Sequence, residues 1–344
     1  MKSSPFFNEL NTNYVPSDIE IMQIQTDLIS HTEELARLNT LIHDLCSQRD
    51  EIQEYVDSHK ALISAPRRLP DDIVREIFVA CLPTYRNAVM SRREAPLVLC
   101  SISSAWRAIA LSMPRLWAAL HIPLQFAPAN RRRSTVVSEW LQRSGVCPLS
   151  LSVVALSPWG QPDDDVTGTM NILAGFADRW QNLELSVTLP FQHQGLESVS
   201  APMLSTMTLR IDVPVMEILS WKLLMGQSLH TLSLRACALD DLAALIPPAW
   251  ENLIHLCLED PNHYHGLSSP CVLAILRHCS RLTSIQFQMS ESIIETQPGT
   301  CIVMPSLESF TILNNVAPLN VLEGLMECLS MPKLNDFGIA DPCR

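Results

Sequence analysis

The chain has 344 residues, 47% of them apolar and only 17% charged, and its net charge is −12. The length predicts two or three domains, and the acidic balance argues against nucleic-acid binding, which needs clustered Lys and Arg. The Leu-rich, Gly-poor composition excludes collagen-like and disordered classes, and aromatics at 6% predict an aliphatic core.

The first element expected in chain order is a long helix over residues 17–65. Apolar residues recur at alternating spacings of three and four: Ile21, Ile24, Leu28, Leu35, Leu38, Ile42, Leu45, Ile52, Val56 and Ile63. His31, Arg49 and His59 are the polar exceptions. Ser17 followed by Glu20 reads as a capping box, and Pro66 stops the helix. A narrow a/d seam is the pattern of coiled-coil pairing. Leu41, Tyr55 and Leu62 at g positions and Cys46 at e widen it. Two outcomes fit: a coiled coil over residues 19–63, as a homodimer or with another partner, or a helix folded back on its own chain.

The second segment, residues 66–124, reads as three short helices. Leu69-Pro70 precedes a helix in which Ile73, Ile77 and Phe78 are expected to share a face. Asp71 and Asp72 in its first turn offset the helix dipole, and Pro83 ends it. After a loop from Thr84 to Glu94, Pro96 starts a helix over Leu97 to Ser101. A third carries Trp106, Ile109, Ala110 and Leu111 and stops at Pro114. So small a module buries little alone and calls for a partner or neighbour over its apolar face.

These fifty residues, from Leu69 to the Pro114-Arg115-Leu116-Trp117 that closes them, resemble an F-box. The variant is similar to F-box proteins of mushroom-forming (basidiomycete) fungi, in which a heptad helix precedes the module. Glu139-Trp140-Leu141-Gln142-Arg143-Ser144-Gly145 and Cys147-Pro148-Leu149-Ser150-Leu151 share the resemblance. It implies that Leu69, Pro70, Ile73, Ile77, Phe78, Leu97, Leu99, Cys100, Trp106 and Arg107 contact the Skp adaptor of an SCF (Skp–cullin–F-box) ubiquitin ligase, and through it a cullin. Two features depart from the common pattern. The loop after the first helix is longer, and Ser104-Ala105 stands where basic residues often precede the Trp.

Arg131 to Arg133 is expected to be a solvated helix start. From there to residue 344, six motifs share the pattern Leu-x-x-Leu-x-Leu with conservative swaps. They begin at Leu204, Leu229, Leu253, Leu282, Leu307 and Leu334, spaced 25, 24, 29, 25 and 27 residues apart. That is the period of leucine-rich repeats. Cys237 and Asn315 stand where the repeat's polar turn residue is expected. The last two apolar positions of each motif would point inward from a short strand, and stacked units make a parallel sheet. Weaker strands are expected around Leu149-Leu151-Val153 and Leu183-Leu185-Val187, and helices at Met216–Leu224 and Val272–Leu276. No capping repeat is apparent after Ile339, and an uncapped edge strand tends to pair, so either an early helix is expected to cover it or the chain is a short or truncated member of its group.

The expected fold is therefore a long N-terminal helix (17–65), a three-helix F-box (66–124) and an irregular leucine-rich-repeat-like solenoid with a parallel sheet (131–344): α plus α/β. No catalytic motif, cofactor fingerprint or phosphate loop is present, so no enzyme activity and no cofactor are expected. His255, Cys257, Asp260, His263, His265, Cys271, His278 and Cys279 are dense, yet their spacing does not match paired zinc ligands, so no metal is expected. Asp163-Asp164-Asp165 reads as a helix cap before a helix over Val166 to Trp180. The 11 cysteines, an odd number without a Cys-x-x-Cys pair, read as reduced thiols. No signal peptide and no membrane-spanning run are seen in the sequence, so a soluble cytoplasmic or nuclear chain is expected. The expected function is a substrate-recognition adaptor of an SCF ligase with an unknown protein target, presented by exposed strand residues such as Thr231, Ser233, Arg235, His255 and Glu259. The alternative is a non-ligase interaction scaffold that oligomerises through its N-terminal helix.

Overall fold

The computed structural model describes residues 5–124, 133–156, 164–188, 196–261, 266–290, 301–313 and 318–340. It divides into two units, Met1–Pro70 and Asp71–Arg344.

The first unit is dominated by helix α1, Asp18–Leu62, 45 residues long. Its start is the capping box expected from sequence: the Ser17 backbone N–H and Oγ–H both donate to Glu20 Oε2, at 2.8 and 2.7 Å. Those bonds hold the Glu20 carboxyl below its ordinary pKa. The helix ends three residues before the expected Ala65, and Ala65–Arg68, with Pro66 in its first turn, forms a 3₁₀ helix. None of the α1 residues is buried.

The second unit opens with α2 (Asp71–Ala80), α3 (Leu99–Ile102) and α4 (Ser104–Leu111), then a 3₁₀ turn at Pro114–Trp117. The expected second helix at Leu97 starts two residues later. The chain then passes straight into strand β1, Ala119–Leu124, which had no counterpart in the sequence reading. The sheet thus begins inside the segment assigned to the three-helix module, and no unit boundary separates the two. Trp117 explains why. It is fully buried, donates its indole N–H to Ala110 O of α4 at 3.0 Å, and packs edge-on against Trp140, 4.9 Å between centroids. Trp140 belongs to α5, Arg133–Arg143, so one indole joins the helices to the first connection of the sheet.

Among the described residues the sheet has nine strands. After β1 come β2 (Leu149–Leu156), β3 (Trp180–Thr188), β4 (Thr206–Pro214), β5 (Thr231–Cys237), β6 (His255–Glu259), β7 (Ser284–Gln288), β9 (Ser309–Leu313) and β11 (Asp336–Ala340). They lie side by side in chain order, and every pairing is parallel. A doubly wound sheet would reverse direction once; this one never does. β8 (Ile302–Val303) and β10 (Leu329–Ser330) form a separate parallel pair.

The register carries each motif onto the next. Leu120, Leu151, Leu183, Met207, Leu232, Leu256, Ile285, Phe310 and Phe337 form one continuous row across the sheet. Two residues further along, a second row runs from Ile122 to Ile339. Apart from Phe337 and Ile339 on the edge strand, both rows are buried. The leading Leu204, Leu229, Leu253, Leu282 and Leu307 are fully buried ahead of them. Backbone bonds such as His230 N–H to Ser205 O (2.9 Å) and Glu308 N–H to Thr283 O (2.8 Å) carry the ladder into the turn before each strand.

The connections cover the apolar side of the sheet. They include α6 (Asp164–Ala174), α7 (Val215–Ile218), α8 (Ser269–His278) and α9 (Leu319–Glu327), with several 3₁₀ turns. Neighbouring connections touch: α5 packs on α6, and α8 on both α9 and the 3₁₀ helix Leu239–Ala244. Two expected helices are shorter than read. Trp180 starts a strand rather than ending a helix, and Met216–Leu224 splits into α7 and a 3₁₀ turn at Lys222–Met225. Gly145, at φ +56°, closes α5 in the left-handed conformation that favours glycine. Arg179 also bonds that helix end, donating to Leu141 O (3.3 Å), Cys147 O (3.1 Å) and Gly145 O. The architecture is thus a long N-terminal helix plus an α/β unit built on a parallel sheet. Among the described residues no helix is long and apolar enough to cross a membrane. Asn315, His263, His265, Asp163, Arg131 and Arg132 lie outside the described residues.

Candidate functional site

Two surfaces could meet a partner. One is the helical module at the start of the second unit. In α2, Val74 and Phe78 are spaced i, i+4 and face inward, 2% and 0% exposed. Ile73 and Ile77 each sit one residue earlier, about 100° around the helix, so Ile73 is left 46% exposed and Ile77 half-buried. The face expected to hold Ile73, Ile77 and Phe78 together is therefore divided: Phe78 is interior and the isoleucines are accessible.

Behind that surface, Phe78 meets Trp106 edge-on at 5.0 Å. Trp106 is held by its backbone, whose N–H donates to Ser103 Oγ at 3.1 Å as the N-cap of α4. Arg107 Nε donates to Cys100 O at 2.8 Å, tying α4 to α3, while Arg75 Nη2 donates to Ser112 Oγ at 3.2 Å, tying α2 to the end of α4. Leu99 is buried. Leu97, Cys100 and Trp106 are half-buried and Arg107 is exposed. Partial burial pushes the Cys100 thiol above its ordinary pKa. Ile102 and Leu111, not singled out from the sequence, add accessible apolar surface at 55% and 45% exposure. Of the residues expected to touch an adaptor, Ile73, Ile77, Leu97, Cys100, Trp106 and Arg107 keep accessible surface, and Phe78 and Leu99 are interior. Leu69 (half-buried) and Pro70 (exposed) belong to the N-terminal unit.

The second surface is the outward face of the sheet. Residues that alternate with the apolar rows project there and are mostly polar: just ahead of the first apolar row, Ser150, Asn182, Thr206, Thr231, His255, Ser284 and Ser309 align in one row. Ser233 lies beside Cys257, and Arg235 beside Glu259. Glu184 pairs with Arg210 at 2.9 Å. Thr231, Ser233, Arg235, His255 and Glu259 thus share one face, as expected from alternation.

The long loop after α2 also reaches this face. Val89 bridges to His121 of β1, whose N–H donates to Ala88 O at 2.7 Å. Asn87 accepts a hydrogen bond from Ser150 Oγ (2.9 Å) and donates one to Ser152 Oγ (3.2 Å). Glu94 braces the loop, accepting from Val89 N–H and pairing with Arg86 at 2.6 Å. Between Pro83–Asn87 and the first four strands lies an open groove of about 470 Å³, lined by Tyr85, Asn87, Ser150, Glu184 and Thr206 among others. No residue spacing in the chain signals it. An exposed Tyr in a long loop was the only cue.

A scan of family models and a search of curated proteins both return no match. The chain's chemistry must be read from its own residues. Among the described residues no group of three or more His, Cys, Asp or Glu is placed to hold a metal ion. The described members of the His/Cys-rich stretch are dispersed: His278 bonds to Pro247 O (3.2 Å), Cys271 donates to Leu239 O (3.8 Å), and His255 faces outward. The described surfaces offer apolar contact on the helical module and hydrogen bonding on the sheet.

Proposed function

We propose that this chain is the substrate-receptor subunit of an SCF ubiquitin ligase, with an F-box over Leu69–Trp117 that binds the Skp adaptor. The observation that carries the reading is the division of labour within the module. Phe78, Leu99 and Trp117 fill its interior, while Ile73, Ile77, Leu97, Ile102 and Trp106 leave apolar surface that the rest of the unit does not cover. The chain-order parallel sheet, with offsets of 24 to 32 residues between registered partners, supports a leucine-rich-repeat-like solenoid after it. Its outward polar face, with the Tyr85 groove at one end, is the surface for the target.

The receptor contributes no bond-making step. Bound to the adaptor by one surface and to the target by the other, it holds target lysines near a charged ubiquitin-conjugating enzyme and raises their effective concentration. Co-purification with a Skp adaptor tests the reading. Ile73→Asp and Ile77→Asp change accessible residues and should abolish capture while leaving the far-UV spectrum intact. Equal capture of both variants and the native chain would refute the assigned surface. The second reading, a scaffold that assembles through α1 and ignores the adaptor, draws on the complete exposure of that helix.

A further inference from the structure

We propose that α1 pairs with α1 of a second copy of this chain as an antiparallel two-stranded coiled coil centred on residue 40. A helix of 45 residues is about 68 Å long. Its stability in water depends on covering one face. Yet Leu28, Leu35, Ile42, Leu45 and Ile52 are each 53–65% exposed. These residues form the a and d seam of a heptad pattern, so the matching surface is another such seam.

Charge decides the direction. In a parallel, in-register pair Arg49 at an a position meets Arg49 of the other copy, flanked on the seam edges by the neutral Gln48 and Gln53, with no carboxylate but the exposed Asp50 of its own helix. His31 meets His31 and His59 meets His59. In the antiparallel pair a positions face d positions. Centred on residue 40, which is also the midpoint of Asp18–Leu62, this sets Leu28 against Ile52, Leu35 against Leu45 and Leu38 against Ile42. Arg49 then faces His31, between Asp27 and Glu34 on the adjoining g edge. Its present ion pair with Asp50 is exposed on both sides (68% and 67%), so giving it up costs little. Along the edges Asp27 faces Tyr55, Lys60 faces Asp18, and Leu41 faces itself. No like charges meet. The pair centred on residue 40 leaves one such mismatch, His59 against Ile21; sliding by one heptad adds Arg49 against Ile24 or Leu38, a full cation against an aliphatic side chain. A polar core position fixes register in this way.

The proposal stands apart from adaptor binding, since it concerns only the first unit. Sedimentation equilibrium on the full chain should show a dimer, and Leu38→Asp should raise its dissociation constant by about a hundredfold. Direction is read by disulfide trapping with the native, exposed Cys46. The antiparallel pair juxtaposes residues 32 and 46 on its e edges, so Thr32→Cys should give a covalent dimer whose linked peptides contain 32 and 46. Within one helix those positions are about 21 Å apart, too far for a disulfide. A parallel pair would instead juxtapose 41 with 46, and Leu41→Cys would then link to Cys46, overturning the proposal. In the antiparallel pair Leu41→Cys links to itself. A native chain that stays monomeric at micromolar concentration also overturns it.

Discussion

Trp117 joins the helical module to the sheet, and its replacement measures how firmly. The indole is fully buried, bonded to Ala110 O at 3.0 Å, set against Trp140 at 4.9 Å, and covered by Arg143 at 4.8 Å from its ring. Trp117→Phe keeps most of the ring but removes the indole bond to Ala110 O, which retains only the Met113 N–H at 3.3 Å; losing one such bond costs roughly 1 kcal/mol. Weakening the edge contact and the cation–π contact adds roughly 1 kcal/mol. The total of about 2 kcal/mol should lower the melting temperature by roughly 4–8 °C in a unit of this size. Trp117→Ala should cost about 4–5 kcal/mol because it also opens a cavity. The assay is thermal and urea unfolding followed by circular dichroism, with hydrogen exchange over 71–111 and 149–188. Both segments should lose protection together. A melting loss below about 2 °C for Trp117→Ala, or loss of protection in 71–111 alone, would refute the claim that helices and sheet form one cooperative unit.

The same register row should show a steep energetic gradient. Phe310→Ala, fully buried between Phe287 and Phe337, should cost about 3–5 kcal/mol in urea unfolding. Phe337→Ala, 48% exposed on the edge strand, should cost less than half of that. Thiol labelling at pH 8 should modify the exposed Cys46, Cys81 and Cys301 first. Burial pushes Cys271 and Cys279 up to about 12, so mass spectrometry should find them modified only after unfolding. The Arg86 guanidinium holds the Glu94 carboxyl below its ordinary pKa. Its contribution to stability is therefore present above the usual carboxylate range and lost as pH falls through the lowered value. Glu94→Gln should reduce the melting temperature at pH 7, with the difference from the native chain shrinking toward pH 3. A difference that grows on acidification would contradict the assigned pairing.

The repeat strands were legible because alternation and a fixed leading Leu are both sequence-local, and the row from Leu151 to Phe310 follows them residue by residue. The capping box at Ser17 was legible for the same reason. β1 was not. Ala119–Leu124 contains Pro123, has Trp117 rather than a Leu at the leading position of its motif, and follows directly on a 3₁₀ turn. It is a strand because β2 pairs with it and Trp117 anchors it, and both are tertiary facts. The split in α2 was illegible on similar grounds. Ile73, Val74, Ile77 and Phe78 are all apolar and adjacent, so periodicity marks a broad stripe, and it is the packing of α2 on α4, where Phe78 meets Trp106, and on the 3₁₀ turn that turns Val74 and Phe78 inward. The groove beside Tyr85 needs a loop to meet a sheet edge, and no spacing in the chain encodes that meeting.

The central claim is that the helical module docks a Skp adaptor, and calorimetric titration of the full chain with purified adaptor tests it most directly. The account predicts saturable one-to-one binding per protomer, weakened at least about tenfold by Ile73→Asp (1.4 kcal/mol) with α1 and the sheet still folded. No heat of binding and no complex by sedimentation, from a folded native chain, would contradict it.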